Sequence, residues 1–220
     1  MPLLKLNWSE IDTVLLDMDG TILDLSFDDY IWNKEIPKNL AKRQNIKFNQ
    51  AVSILEQKMK TVEATLNWYC FDFWEKKIDI DINSIEEKFK QKIKIKKDAI
   101  TFLTSSLLKT KQMILVTNAD KRGLIRKLDI TGIRQYFDDV ICSHDFNYAK
   151  EEVQFWSNLR KKNKINFERT LLIDDNLSIL STAEKIGIKY LRGVSRPNSK
   201  KKTIISSKYE LVDQLSELIN

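Results

Sequence analysis

The peptide Asp17-Met18-Asp19-Gly20-Thr21 sets two carboxylates two residues apart directly behind a short apolar run, Val14-Leu15-Leu16. One carboxylate in such a pair can act as a nucleophile, and the other can move protons to and from a leaving group. Gly20 is read as the point where the chain turns, so that Asp17 attacks while Asp19 handles protons. Other apolar runs also end on polar residues: Met113-Ile114-Leu115-Val116 on Thr117 and Asn118, Val140-Ile141-Cys142 on Ser143 with Lys150 beyond, and Leu171-Leu172-Ile173 on Asp174 and Asp175. A hydroxyl and backbone N–H groups around Thr117 and Asn118 suit a phosphate oxygen. Lys150 would neutralise that phosphate and keep Asp17 ionised. The carboxylates of Asp17, Asp174 and Asp175 repel one another, and a divalent cation with a preference for hard oxygen ligands, Mg2+, is the natural remedy. No cluster of Cys and His argues for zinc, and the only histidine, His144, reads as a surface or loop residue.

The elements that must carry these residues follow from the same runs. Each short apolar run reads as a buried strand, and helical stretches over 121–130, 151–162 and 177–186 separate them, with Gly132 and Gly187 as stops. Ile188-Lys189-Tyr190-Leu191 supplies a fifth strand. Strands alternating with helices predict an α/β fold, a Rossmann-like parallel sheet covered by helices on both faces, with ligands bound beyond the carboxyl ends of the strands. The chemistry-bearing residues all fall at that edge.

Residues 23–95 read as an inserted helical domain, and 1–22 with 96–220 as the α/β domain. Val52, Leu55, Met59, Val62, Leu66, Tyr69 and Phe73 mark one apolar stripe on a long helix, with Asn49 as its cap. Segments 29–44 and 84–95 add two helices, and 98–109 reads as a helix returning to the sheet. Tyr69 and Phe73 lie on the stripe and read as core. Trp68 and Trp74 lie off it, where they could stack on a purine.

With 42% hydrophobic residues the chain can bury a sizeable core, and the low count of five Gly and three Pro argues against linkers and disorder. The net charge of +6 suits an anionic substrate, although acidic and basic residues alternate along most of the chain. Lys200, Lys201 and Lys202 read as a surface loop rather than a nucleic-acid contact. Cys70 and Cys142 read as buried reduced thiols. No apolar run approaches the ~20 residues of a membrane span, and no signal-peptide layout is seen, which predicts no membrane partner and a cytoplasmic location.

The four motifs, Asp17-Met18-Asp19-Gly20-Thr21, Thr117-Asn118, Lys150 and Asp174-Asp175, resemble those of the haloacid dehalogenase-like (HAD) superfamily. The resemblance implies a Mg2+-dependent phosphatase with a phosphoaspartate on Asp17, a mobile helical cap, and the backbone carbonyl of Asp19 as a metal ligand beside Asp17, Asp174 and Asp175. It also implies Asp17 and Asp19 as the catalytic pair. Leu66-Asn67-Trp68-Tyr69-Cys70 and Arg169-Thr170-Leu171-Leu172-Ile173 are similar to the superfamily's bacterial GMP/IMP nucleotidases, so the expected substrate is a phosphate monoester, a purine nucleotide. Asn147 and Ala149 depart from the Gly and Pro common in relatives. A broader metabolite phosphatase or a phosphomutase shares the motifs, and a nucleic-acid-binding protein on an inactive phosphatase fold is a third reading.

Overall fold

The structure is a computed structural model and describes residues 6–219. The outer ends of the α/β assignment, residues 1–5 and 220, lie outside the described residues. Six strands form one parallel sheet in the order β3-β2-β1-β4-β5-β6, built from β1 (Thr13–Leu16), β2 (Gln112–Thr117), β3 (Asp139–Cys142), β4 (Thr170–Asp174), β5 (Tyr190–Val194) and β6 (Leu211–Val212). Strand β1 is fully buried and pairs with β2 on one side and β4 on the other. Parallel strands covered on both faces need apolar residues on both, which is why the runs are continuous rather than alternating. Val14, Leu16, Met113, Leu115, Leu171 and Ile173 belong to one core cluster, and Leu15, Ile114, Val116 and Leu172 to the other. The second cluster is completed by Phe155, Trp156 and Leu159 of helix α9 (Val153–Asn163) and by Ile179, Leu180 and Ala183 of α10 (Leu177–Lys185).

Between β1 and β2 the helices are α1 (Ser26–Tyr30), α2 (Ile36–Gln44), α3 (Phe48–Lys60), α4 (Leu66–Tyr69), α5 (Phe71–Ile78), α6 (Ile82–Phe89) and α7 (Ala99–Leu103). A π-helical turn, Ile31–Glu35, joins α1 to α2. The long helix expected from the apolar stripe is not continuous. It stops at Lys60, passes through a turn in which Ala64 takes a left-handed conformation at φ 59°, and restarts as two short helices. Its cap is also different: Lys47 precedes the first turn, and Asn49 lies inside the helix. The return helix is shorter than 98–109, because α7 ends at Leu103 and a separate 3-10 turn covers Ser106–Leu108.

Helix α8 (Lys121–Thr131) follows β2 and meets the inserted helices. Gly123 lets them approach, since a Cβ there would lie 3.3 Å from both Glu86 Oε2 and the Phe71 ring. Three cations of α8 then engage the insertion: Arg122 with Asp72 and Glu75, buried Arg126 with Glu86 and Glu87, and Lys127 with Asp28. Beyond β5, the loop carrying Asn198 and Lys201 binds Asp29, so the lysine cluster is in part a structural clasp on α1.

Candidate active site

The strand order reverses between β1 and β4, the position at which open α/β sheets bind ligands. Asp17 leaves β1 there, its N–H donating to Ile173 O at 3.0 Å, and Asp174 ends β4 beside it. Lys150 comes from the loop after β3. Its fully buried ammonium donates to Asp17 Oδ1 at 2.6 Å, to Asp174 Oδ2 at 2.7 Å and to Val116 O at 3.2 Å. The substituted loop keeps this reach: Asn147 adopts the left-handed backbone (φ 59°) that glycine otherwise serves. Lys150 is further fixed by its N–H on Asn118 Oδ1 (2.9 Å) and its carbonyl on Trp156 Nε1 (2.7 Å).

Burial pushes Asp17 up to about 6, against the pull of Lys150 and with the help of the Asp174 charge. Burial likewise raises Asp174, and it raises Asp175 well above the ordinary carboxylate range, with the charges of Asp17 and Asp174 adding to it. Burial alone would pull the Lys150 ammonium down, but the two carboxylates it bridges outweigh this and hold it protonated. Oxygens of Asp17, Asp174 and Asp175 lie within 4.8 Å of one another, and Asp17 Oδ2 is buried with no hydrogen-bond partner among the described residues. Three hard oxygen donors and an orphaned carboxylate oxygen fit a divalent cation of the magnesium type. Gly20 serves this cluster in its own way. At φ +92° it leaves room for Asp175, whose Oδ2 would lie 2.4 Å from a Cβ.

Asp19 turns away from the three clustered carboxylates. Its Oδ1 accepts from Lys127 Nζ at 2.7 Å, and the same ammonium reaches Asp28 Oδ1 at 2.6 Å. Burial raises Asp19, with Lys127 pulling the other way, and raises Asp28 to about 6, with the Asp19 charge adding. Thr117 ends β2 and Asn118 follows it at the same crevice, which has a volume of about 590 Å³ and continues between the sheet edge and the insertion past Trp32, Met59, Trp68 and Tyr69. Ser143, by contrast, is buried and does not line it.

Several residues here escape the sequence motifs. Tyr69, assigned to the core from its stripe position, instead lines the crevice and donates to Glu151 Oε1 at 2.7 Å, while Asn118 donates to Glu151 Oε2 at 2.9 Å. Trp74 is the reverse case. It is fully buried, donates its indole N–H to Trp68 O at 2.9 Å and meets Trp32 edge to face at 5.7 Å, so it supports the two crevice tryptophans without facing ligand. Cys70 is half-buried rather than buried, and Cys142 is buried; both thiols are free. Lys127 and Asp28 were hidden because neither follows a strand. The available signal was a lysine three residues after buried Leu124 on the inward face of α8.

The haloacid dehalogenase-like hydrolase family matches residues 11–187 of the chain. The GMP/IMP nucleotidase YrfG of Escherichia coli is 37% identical over 196 residues, which are 89% of this chain and 88% of that protein. Among solved structures, a HAD phosphatase from Thermococcus onnurineus superposes with a TM-score of 0.78 at 22% identity, covering 94% of this chain and 96% of its own. A HAD family enzyme of Bacteroides thetaiotaomicron, solved in complex with magnesium and inorganic phosphate, gives a TM-score of 0.57 at 16% identity, over 84% of this chain and 95% of its own. With the sheet order, the sheet-edge carboxylates and a family match running through both the sheet and the insertion, the chain belongs to the haloacid dehalogenase-like hydrolases and is a phosphoric monoester hydrolase among them.

Proposed function

We propose that this phosphatase is a magnesium-dependent purine 5′-nucleotidase that removes phosphate from GMP and IMP in the cytoplasm. The observation that carries the reading is the Lys150 bridge between Asp17 and Asp174 at the floor of a crevice whose upper wall carries Trp32 and Trp68. The 37% identity to a GMP/IMP nucleotidase spans the insertion as well as the sheet, and the wall is where a base would lie. The free thiols of Cys70 and Cys142 accord with a reducing compartment. In this proposal residues 23–95 form the cap domain, and 1–22 with 96–220 the catalytic domain.

Asp17 attacks phosphorus, the bond to the 5′-oxygen breaks, and Asp19 gives its proton to that oxygen so that the nucleoside leaves neutral. Asp19 then takes a proton from water, which attacks the aspartyl-phosphate, and phosphate departs as the Asp17 carboxylate is restored. Thr117 and Asn118 hold phosphate oxygens, and Lys150 offsets charge on the nucleophile and the transferring group. Magnesium, held by the Asp17 and Asp174 carboxylates and the Asp19 carbonyl with Asp175 beside them, would neutralise the phosphoryl charge.

Purified protein with Mg2+ is expected to release phosphate from GMP and IMP faster than from AMP, sugar phosphates or phosphoglycolate. Asp17→Asn is expected to abolish release. Equal or faster turnover of a sugar phosphate would remove the nucleotide assignment while leaving the phosphatase in place.

A further inference from the structure

We propose that Lys127 is a positioning residue for the Asp19 carboxyl, and that Asp28 of the inserted helices in turn fixes Lys127. The inference rests on the reading of Asp19 as proton donor to the leaving oxygen.

A lysine with 3% of its side chain exposed must satisfy its charge within the protein. Lys127 does so with Asp19 Oδ1 at 2.7 Å and Asp28 Oδ1 at 2.6 Å, and its ammonium also lies 5.6 Å from the centroid of the Phe27 ring. Asp19 and Asp28 both line the crevice but come from different elements, one just after β1 and the other in the first turn of α1. Without the cation between them, two partly buried carboxylates would repel, and the Asp19 side chain would have no partner to choose its rotamer. With it, Oδ1 is committed and Oδ2 makes no hydrogen bond among the described residues, which leaves that oxygen for the leaving group.

The lysine is itself held on both sides. One residue earlier, Arg126 donates to Glu86 Oε2 at 2.6 Å and to Glu87 Oε2 at 3.0 Å on α6. At the start of the same helix, Asp120 accepts from its own Arg122 N–H and from Phe71 N–H of α5, each at 2.9 Å. Helix α8 is thus seated on the insertion before Lys127 extends toward Asp19. A mere buried ion pair would need no partner among the reacting groups, whereas this one joins the insertion to the proton-transfer residue through a single ammonium.

The discriminating measurement is the dependence of kcat/KM on the leaving group across substituted phenyl phosphates, from p-nitrophenyl to phenyl, with the Mg2+-loaded protein. Esters with acidic phenols leave unaided, and poor leaving groups need the proton. Asp19→Asn is expected to lose about 10²-fold with phenyl phosphate and much less with p-nitrophenyl phosphate, steepening the plot. Lys127→Met is expected to steepen it in the same way, and Asp28→Asn to a smaller extent. A uniform loss across all esters in Lys127→Met, with the wild-type slope, would overturn the positioning role even though Asp19→Asn steepens. If Asp19→Asn itself keeps the wild-type slope, the proton-donor reading fails and this inference falls with it. Should Lys127→Met not fold, Asp28→Asn decides: an unchanged slope overturns the proposal.

Discussion

Lys150 donates to only one oxygen of Asp17, Oδ1 at 2.6 Å, and leaves Oδ2 buried without a hydrogen-bond partner among the described residues. The bridge therefore restrains the carboxylate while keeping its second oxygen uncommitted. Replacement by Lys150→Met removes the cation between Asp17 and Asp174. We expect kcat/KM for phosphate release to fall on the order of 10²- to 10³-fold, as for loss of a preorganised charge donor. Steady-state kinetics at saturating Mg2+ decide the matter, and near wild-type turnover would contradict this role.

Gly20→Ala is expected to fail for two independent reasons. The backbone sits at φ +92°, and the added Cβ would lie 2.4 Å from Asp175 Oδ2. Backbone strain of this kind costs about 1–3 kcal/mol, and the contact with Asp175 is relieved by displacing that side chain from the carboxylate cluster. Chemical denaturation should show the stability loss, while titration calorimetry should show weakened Mg2+ binding. Unaltered metal affinity would mean that the position of Asp175 does not matter to the ion.

Stability of the metal-free protein should decline as pH rises from about 4 to 7. Asp17 and Asp28 stand at about 6 and Glu86 at about 7, in each case raised mainly by burial from ordinary values of 3.8 and 4.5. Acids raised on folding bind more protons in the native state than in the unfolded chain across this window, so ΔG of unfolding falls with increasing pH. The raised Lys127 and Lys150 do not oppose this, because their contribution is full below the ordinary lysine value of 10.5. In the proposed site Mg2+ would bind the ionised carboxylates, so its stabilising effect should be larger at pH 8 than at pH 5. Thermal melts in EDTA and in Mg2+ at both pH values test the sign; a metal-free melting point that rises with pH would refute it.

Tyr69→Phe removes the hydrogen bond from the Tyr69 hydroxyl to Glu151, the residue that also holds Asn118. A bond to a carboxylate contributes about 1.5–3 kcal/mol, and the loss should fall on the binding of the phosphate group through Asn118. We expect kcat/KM to drop roughly tenfold, with the melting temperature falling by roughly 3–12 °C. A variant with normal kinetics would detach Tyr69 from the site.

The sheet and its edge were legible because burial on both faces forces unbroken apolar runs, and the residue ending each run is delivered to the ligand side. Thr117 and Asp174 are the last residues of their strands, and Asp17 directly follows its own. Strand β6 was not legible, since two residues carry no periodicity. The break in the insertion was hidden for a different reason. Ala64 makes a left-handed turn that neither Gly nor Pro announces, and the apolar spacing continues across it. Trp74 and Tyr69 exchanged places relative to expectation because, after that break, the helical phase restarts and a stripe drawn through both helices no longer describes one face. Lys127 was unreadable from motifs, because its meaning depends on which helix packs above it.

The central place of β1 has a consequence for biosynthesis. Thr13 is registered against Gln112 on one side and Thr170 on the other, so the strand leading into Asp17 is flanked by segments translated long after it. Contacts of such high sequence separation form late, while the inserted helices can assemble early from local contacts. A ribosome-bound chain stopped before Thr170 has exposed Asp17 without Asp174 beside it and without half of its sheet. The pairing of Lys150 with both Asp17 and Asp174 therefore forms only once the last quarter of the chain is being made, so a chain stopped before Thr170 carries an unfinished site.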